Sequence, residues 1–291
     1  MKGIARTFGA ITITNALSAG IGCATGVELP VRAEVSITVD GSKDPPKIDV
    51  PSKDSSPVVE GSLRAALARY HPTPGTVARL SLRSEIPVAR GLKSSSAVST
   101  AVVLAVARAA GEQPSALEIG RQAAEVARRI GISATGAFDD ALAGLEPGFI
   151  VTDNRRDEVL RRTSVDPDWG VVLYIPTHDH PPSPSVVRQF AQERPSGELA
   201  ARAAMDGDWV RAMTVNTELV ERTMRYSYQE LRQRLQSRGA IASGVSGLGP
   251  ALATIAPIAL LPELVEILPN DGAEKRVVSF TRSATAEVAL S

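Results

Sequence analysis

The sequence predicts an α+β fold in two lobes, with a boundary near residue 165. Three observations predict it: segments rich in β-branched residues recur, helical segments lie between them, and the two alternate without a regular βαβ repeat. With 291 residues the chain can bury a core in one large domain or in two of ordinary size. The division places residues 1–165 in an N-terminal lobe and 166–291 in a C-terminal one.

The elements follow in order. "ITIT" (11–14), "VRAEVSITV" (31–39) and "TVARLSLRSEI" (76–86) read as strands, the last two with the alternation of a half-buried strand. Between them "DGSKDPPKIDVPSKDSSP" (40–57) is a polar, proline-rich loop, and "EGSLRAALARY" (60–70) a short amphipathic helix ending before His71 and Pro72. Ser94 to Ser96 then read as the capped start of a helix that is apolar almost all round, and such a helix belongs in a core. "PSALEIGRQAAEVARRIG" (114–131) has proline near its start and Gly131 just past its end, the asymmetry of a complete helix. "PGFIVTDN" (147–154) and "WGVVLYIP" (169–176) are strand-like. From Ser196 to Arg238 the pattern is helical, broken near "DGD" and "RYSY". The tail returns to strands at "PALATIA" (250–256) and "RVVSF" (276–280), around a helix at "LPELVEIL" (261–268).

Charge and cysteine content exclude some function classes. Lysines plus arginines equal aspartates plus glutamates at 32 each, so nothing in the charge balance points to nucleic acid or an anionic membrane as partner. The single cysteine, Cys23, excludes an intrachain disulfide framework and suits a reducing cytosol. Lys2 and Arg6 precede a stretch that resembles a signal peptide, but Thr12, Thr14, Asn15 and Ser18 interrupt its apolar region. No segment reaches the roughly 18 apolar residues of a membrane span. The expectation is a soluble cytoplasmic protein.

Several stretches could carry chemistry. A helix start with free N–H groups is a natural anion site, and Gly91 lets backbone approach a phosphate. One serine suffices for a cap, so three in "ARGLKSSSAV" leave hydroxyls for phosphate or magnesium. "SAGIGCATG" (18–26) and "SGVSGLGPA" (243–251) are also glycine-rich, and neither matches a P-loop. The first has G-x-G after a strand, but Gly20 to Pro30 leaves no room for the helix of a dinucleotide fold. In "TGAFDDALAG" (135–144), Asp139 and Asp140 read either as N-cap and first-turn acid or as a pair that activates a hydroxyl and helps hold a metal, with Asp139 facing the site. Glu125 is either a magnesium ligand or a surface partner of Arg121 and Arg129. His178 and His180 have metal-ligand spacing in a proline-flanked loop, and Cys23 reads as a packing residue.

Taken together these stretches resemble the GHMP kinase superfamily, whose phosphate motif P-x-x-x-G-L-x-S-S-A is similar to "PVARGLKSSSA" (87–97) and whose third motif resembles "SGVSGLGPA". The resemblance is closest to the archaeal-type shikimate kinases and runs in order through "GAITITNALSAGIGCATGVEL", "EIPVARGLKSSSA", "TGAFDDALAG", "GFIVTDN", "LYIP" and "VSGLGPA". The tail "TRSATAEVALS" departs from the family's Asn- and Gly-containing ending.

The resemblance implies an N-terminal lobe like the second domain of ribosomal protein S5, a ferredoxin-like C-terminal lobe, and transfer of the ATP γ-phosphate to the 3-hydroxyl of shikimate. Gly91, Leu92, Lys93, Ser94, Ser95, Ser96 and Ala97 are then the ATP-binding residues, and Ser95 with Glu125 the Mg²⁺ ligands, although the serine run leaves open which hydroxyl meets the ion. Asp139, Asp140 and Lys93 are the catalytic set, and Thr14, Asn15, Gly247 and Gly249 the substrate contacts. Two rival readings keep the same motifs: a kinase for another small alcohol such as homoserine or mevalonate, and a non-catalytic nucleotide or metabolite binder.

Overall fold

Residues 1–177 and 185–282 are described by the computed structural model. The chain opens with β1 (Lys2–Thr14), a single helical turn α1 (Ala16–Ala19) and β2 (Ile21–Val39), so that two long antiparallel strands run side by side. Asn15 starts α1, its Oδ1 accepting from the Leu17 N–H at 2.9 Å, and Gly20 ends it in the left-handed region at φ 79°. There follow β3 (Lys47–Asp49), α2 (Pro57–Tyr70), β4 (Thr76–Ser84), α3 (Ser94–Ala109), α4 (Ala116–Arg129), α5 (Phe138–Ala143), β5 (Phe149–Asp153) and β6 (Glu158–Thr163).

β2 is the spine of this first sheet. One edge pairs with β1; the other pairs with β5 through Ile21–Thr25 and with β4 through Val31–Val39. Along the second half Val31, Ala33, Val35 and Ile37 are buried while Arg32 and Thr38 are exposed, the period-2 pattern that makes this half legible. From Gly22 to Val27 every residue is buried, because α5 and α7 cover the sheet there as well. Burial on both faces erases alternation. That is why the sequence pattern places the start of β2 at Val31 when the strand begins at Ile21; β1 also begins earlier than the pattern places it, at Lys2 rather than Ile11, although its first residues do alternate in burial. Two further short strands escape the pattern: β3 inside the proline-rich loop, and the charged edge strand β6.

α3 lies in the core as its composition requires, and it packs unusually close to β1. A Cβ on Gly3 would stand 2.1 Å from the Ala105 carbonyl oxygen, so glycine is what permits the approach. The start of α3 corrects the expected serine cap. Its N-cap is Lys93, left-handed at φ 66°, with no side-chain capping bond, and Ser94 to Ser96 form the first turn. α5 likewise begins at left-handed Ala137, so Asp139 and Asp140 are both first-turn acids and neither is the N-cap.

The second sheet is built from β7 (Trp169–Ile175), α6 (Val186–Gln192), α7 (Arg194–Asp206), α8 (Trp209–Met224), α9 (Gln229–Ser237), β8 (Ala242–Val245), β9 (Leu252–Pro257), α10 (Leu261–Ile267) and β10 (Glu274–Ser279). Its antiparallel order β10-β7-β9-β8, with helices after the first and third strands, is the ferredoxin-like arrangement that the resemblance implies. The helical breaks fall as expected, at Gly207 and Asp208 and again at Arg225–Tyr228.

The two sheets divide between β6 and β7, and the chain rejoins them at its far end. Phe280 bridges to Val27, and the Thr281 N–H donates to the Gly26 carbonyl at 3.0 Å. Phe149 stacks on Trp209 at 4.7 Å between ring centroids and meets Phe280 edge-on at 6.2 Å, so aromatic contact joins elements of both sheets.

Candidate active site

A cavity of about 1080 Å³ runs between the Lys93 loop, the start of α5, the 131–137 loop, α1 and the glycine-rich loop after β8. One end of it is the start of α3. With no side-chain cap on that helix, the first-turn N–H groups and the positive end of the macrodipole are left for an anion, and Ser94, Ser95 and Ser96 line the cavity beside them.

The glycine-rich loop is fastened to this end by two hydroxyls that bond to backbone. The Ser246 hydroxyl donates to the Gly91 carbonyl at 2.8 Å, the Thr12 N–H donates to Ser246 Oγ at 3.2 Å, and the Gly247 N–H donates to Thr12 Oγ1 at 2.8 Å. Gly91 sits at φ 81° with the Ser246 carbonyl oxygen only 2.0 Å from where a Cβ would be, so no other residue fits without displacing one of the two loops. From the opposite side the Tyr226 hydroxyl donates to the Leu248 carbonyl and that of Tyr228 to the Pro250 carbonyl, both at 2.8 Å.

Lys93 turns its ammonium toward α5. Nζ lies 3.0 Å from Asp140 Oδ1, with the side chains 12% and 13% exposed. Asp139 is deeper, 4% exposed, and its surroundings are specific. Asn154 Nδ2 donates to Asp139 Oδ1 at 2.7 Å, and Oδ2 lies over Gly22, where a Cβ would come within 2.3 Å. Burial first, and then the negative charge of Asp140, push the Asp139 carboxyl up to about 7; Lys93 and the Asn154 hydrogen bond pull against that rise. A carboxylate that takes up a proton near neutrality, beside a cation and an uncapped helix start, can activate a hydroxyl against a bound phosphate.

Other expected residues divide into those the fold brings here and those it does not. Gly91, Leu92, Lys93, the three serines, Asn15, Gly247 and Gly249 all line the cavity. Asn15 is also committed structurally, capping α1 and donating its backbone N–H to Asn216 Oδ1 at 2.8 Å. Ala97 does not line it. Its N–H bonds to the Lys93 carbonyl within the helix and its carbonyl accepts from Thr7 Oγ1 at 2.7 Å, so nothing is left for a nucleotide. Thr14 is buried, with a hydroxyl that meets neither partner nor cavity, because a bulge between Thr12 and Thr14 breaks the alternation that would keep both on one face.

Glu125 is exposed, outside the cavity, on a face of α4 opposite to that of Ala123 and Ala127, which do line it. It does not reach the serines. The charged residue of α4 that lines the cavity is Arg128, held by Asp157 through bonds of 3.0 and 2.6 Å and donating to the Thr135 carbonyl at 3.3 Å, so it pins the loop rather than offering a free cation. Among the described residues no group of three His, Cys, Asp or Glu side chains forms a metal cluster. Cys23 is a buried packing residue, its thiol pushed well up by burial and by the Asp139 charge. His178 and His180, and most of the divergent tail, lie outside the described residues.

Residues the sequence pattern did not single out complete the site: Thr12, Gly22, Ser246, Tyr226 and Asn154. Three of them carried a signal: Gly22 and Ser246 lie in the glycine-rich stretches "SAGIGCATG" and "SGVSGLGPA", and Asn154 is the polar end of "GFIVTDN".

Comparison with known proteins places the chain among relatives. A model of the GHMP kinases N terminal domain matches residues 58–146. The chain is 34% identical over 278 residues to a shikimate kinase of Methanosarcina acetivorans, covering 95% of this chain and 92% of that one. A shikimate kinase of Thermococcus kodakarensis is 35% identical over 243 residues, 84% of this chain and 88% of its own. Among solved structures, mevalonate kinase of Methanococcus jannaschii superposes with a TM-score of 0.72 at 14% identity over 97% of this chain and 99% of that one. Galactokinase of Lactococcus lactis does so at 0.73 and 12% identity, over 98% and 95%. At such identities these two speak for the fold alone.

Proposed function

Since this chain belongs to the GHMP kinases, and among them to the archaeal-type shikimate kinases, we propose that it transfers the γ-phosphate of ATP to the 3-hydroxyl of shikimate, giving shikimate 3-phosphate and ADP. The observation that carries the reading is that Asp139 and the Lys93–Ser96 helix start face one cavity and are tied together by the Lys93–Asp140 pair. Within this reading we assign residues 1–165 to the lobe that carries the ATP-binding motif and residues 166–291 to the second lobe, whose glycine-rich loop after β8 lines the same cavity.

Phosphoryl transfer asks the protein mainly for positioning and charge stabilisation. Lys93 and the free N–H groups at the start of α3 take the phosphate charge, and Gly91, Gly247 and Gly249 let backbone come close to it. The acceptor oxygen forms its bond to the γ-phosphorus as the bond from that phosphorus to the β–γ bridging oxygen breaks, and Asp139 receives the hydroxyl proton. Asn15 at the head of α1 lines the acceptor end. The site suits magnesium brought by the nucleotide: three serine hydroxyls free of capping duty line the cavity, and Mg²⁺ is ordinarily held by substrate phosphates with few protein ligands. Ser95 is the residue we assign to hold it, and a bound ion would supply neutralisation of the phosphate charge.

We place the protein in the cytoplasm, on its single buried free cysteine; among the described residues no helix is long and apolar enough to cross a membrane. A coupled ADP-release assay with ATP and Mg²⁺ tests the function. Release that requires shikimate and yields the 3-phosphate supports it. Release with homoserine or mevalonate instead keeps the chemistry and overturns the substrate, and binding of ATP without release under any of these alcohols overturns the enzyme reading.

A further inference from the structure

Asn154 belongs to no phosphate or acceptor contact, yet it is 1% exposed and every polar atom of its amide is used on one neighbour or on that neighbour's support. Nδ2 donates to Asp139 Oδ1 at 2.7 Å. Oδ1 accepts twice, from the Asp139 backbone N–H at 3.3 Å and from Thr152 Oγ1 at 2.6 Å. The Asn154 backbone is fixed too, its N–H donating to the Gly20 carbonyl at 2.9 Å.

The chemistry of the partners fixes which way the amide faces. A backbone N–H can only donate, so the amide oxygen must meet it, and the NH₂ is thereby turned to the carboxylate. An ionised carboxylate can only accept, so this arrangement is satisfied with Asp139 charged and disfavours a proton on Oδ1. One planar group carrying a donor and an acceptor is needed here. Aspartate lacks the donor, serine lacks the span, and glutamine is one methylene too long for a pocket this closed.

The support is cross-strand. Gly22 and Thr152 are register partners of β2 and β5. Gly22 leaves the space over which Asp139 Oδ2 lies, while Thr152 holds the amide that grips Oδ1. Two adjacent strands thus locate the two oxygens of one carboxylate.

We propose that Asn154, oriented by Thr152, is the positioning residue of the reaction: it holds the Asp139 carboxylate ionised and aimed at the acceptor hydroxyl, and so sets the lower end of the pH range in which the enzyme works. This rests on Asp139 as the proton acceptor. The titratable groups that face Asp139 among the described residues are Asp140 on its own helix, Lys93 from the start of α3 and Cys23 from β2, and none of these is altered by changing Asn154.

The test is the pH dependence of kcat/KM for shikimate in the full-length protein and in Asn154→Ala, Thr152→Val and Asp139→Asn. For Asn154→Ala we expect a kcat loss of about tenfold or more, an ATP KM within about twofold of wild type, and an acid limb moved upward by roughly half a pH unit or more. Thr152→Val, nearly isosteric, removes only the bond that orients the amide, and moves the limb in the same direction by less. It keeps the proposal testable should Asn154→Ala fail to fold. A residue that merely packs would lower kcat and melting temperature together and leave the acid limb in place, and that result overturns the proposal. Near wild-type turnover in Asp139→Asn instead removes the proton acceptor, and the Asn154 role with it.

Discussion

The Lys93 ammonium and the Asp140 carboxylate, both mostly buried, meet at 3.0 Å, and this pair couples the helix start proposed to bind phosphate to the helix that carries Asp139. Removing one partner of such a pair leaves the other desolvated, at a cost of about 3 kcal/mol or more, mostly from the abandoned charge. Lys93→Met therefore has two expected effects. The KM for ATP rises at least about tenfold, because a phosphate cation is gone. The melting temperature falls by several degrees, and Lys93→Met/Asp140→Asn recovers most of that fall but none of the ATP affinity. Recovery of both, or of neither, would separate the pair from the role given to it.

Asp139 must be ionised to accept a proton, and its carboxyl is pushed up to about 7 by burial and by Asp140. The proton is thus retained through the mildly acidic range and lost near neutrality. kcat/KM for shikimate should rise between pH 5.5 and 8 with an inflection near 7. Asp139→Asn should lower kcat by about 10² to 10⁴ with the ATP KM little changed, since none of the phosphate contacts proposed above is made by that carboxylate. A flat profile below pH 7 in the wild type would contradict the assignment.

The same group carries a stability prediction of opposite sense. A carboxyl whose pKa is raised on folding binds more protons in the native state than in the unfolded chain between its ordinary value of 3.8 and about 7. Its contribution to stability is therefore fully favourable below the ordinary value and lost as pH rises through 7. Asp139→Asn keeps an oxygen for Asn154 to donate to and removes the buried charge. Melting curves should show the variant more stable than wild type by a few degrees at pH 8, with the gap closing toward pH 4. A variant less stable at pH 8 would show that the charge is better compensated than its burial indicates.

How much of this was legible in the sequence follows from burial. The half of β2 with one covered face shows its alternation, whereas the half covered on both faces does not, and the site lies on the fully covered half, where Asp139 meets Gly22. The phosphate loop was visible because a glycine and three serines before an apolar helix are costly unless used. What the pattern could not give was the direction of a side chain. Glu125 stands near the right place in the chain but on the wrong face of α4, and Ala97 belongs to the phosphate motif yet spends both backbone groups inside the protein. Thr12 and Thr14 differ by a single bulge. Asn154 was visible as a polar end to a strand, but its partner lies 15 residues away in sequence.

The placement of Glu125 is open to direct check. Glu125→Gln should leave the Mg²⁺ concentration for half-maximal activity unchanged, because the side chain is exposed and outside the cavity. Ser95→Ala should raise it several-fold, with a smaller effect for Ser94→Ala or Ser96→Ala. If Glu125→Gln raises the requirement as much as Ser95→Ala, α4 presents a different face when nucleotide is bound.

Gly91 allows a comparison in which strain and contact are separated. It lies at φ 81°, a region where an L-residue costs about 1–2 kcal/mol, and a Cβ there would stand 2.0 Å from the Ser246 carbonyl oxygen. Gly111 has nearly the same backbone angle, φ 83°, with nothing within 4 Å of its virtual Cβ. Gly111→Ala should therefore show strain alone, a modest loss of melting temperature with wild-type kinetics. Gly91→Ala should show the strain and also force apart the two loops that the Ser246 hydroxyl joins at 2.8 Å. The expected result is a larger loss of stability together with a rise of about tenfold or more in the KM for ATP, since Lys93 and the first turn of α3 move with Gly91. Equal kinetics in the two variants would mean that the glycine-rich loop does not hold the phosphate loop in place.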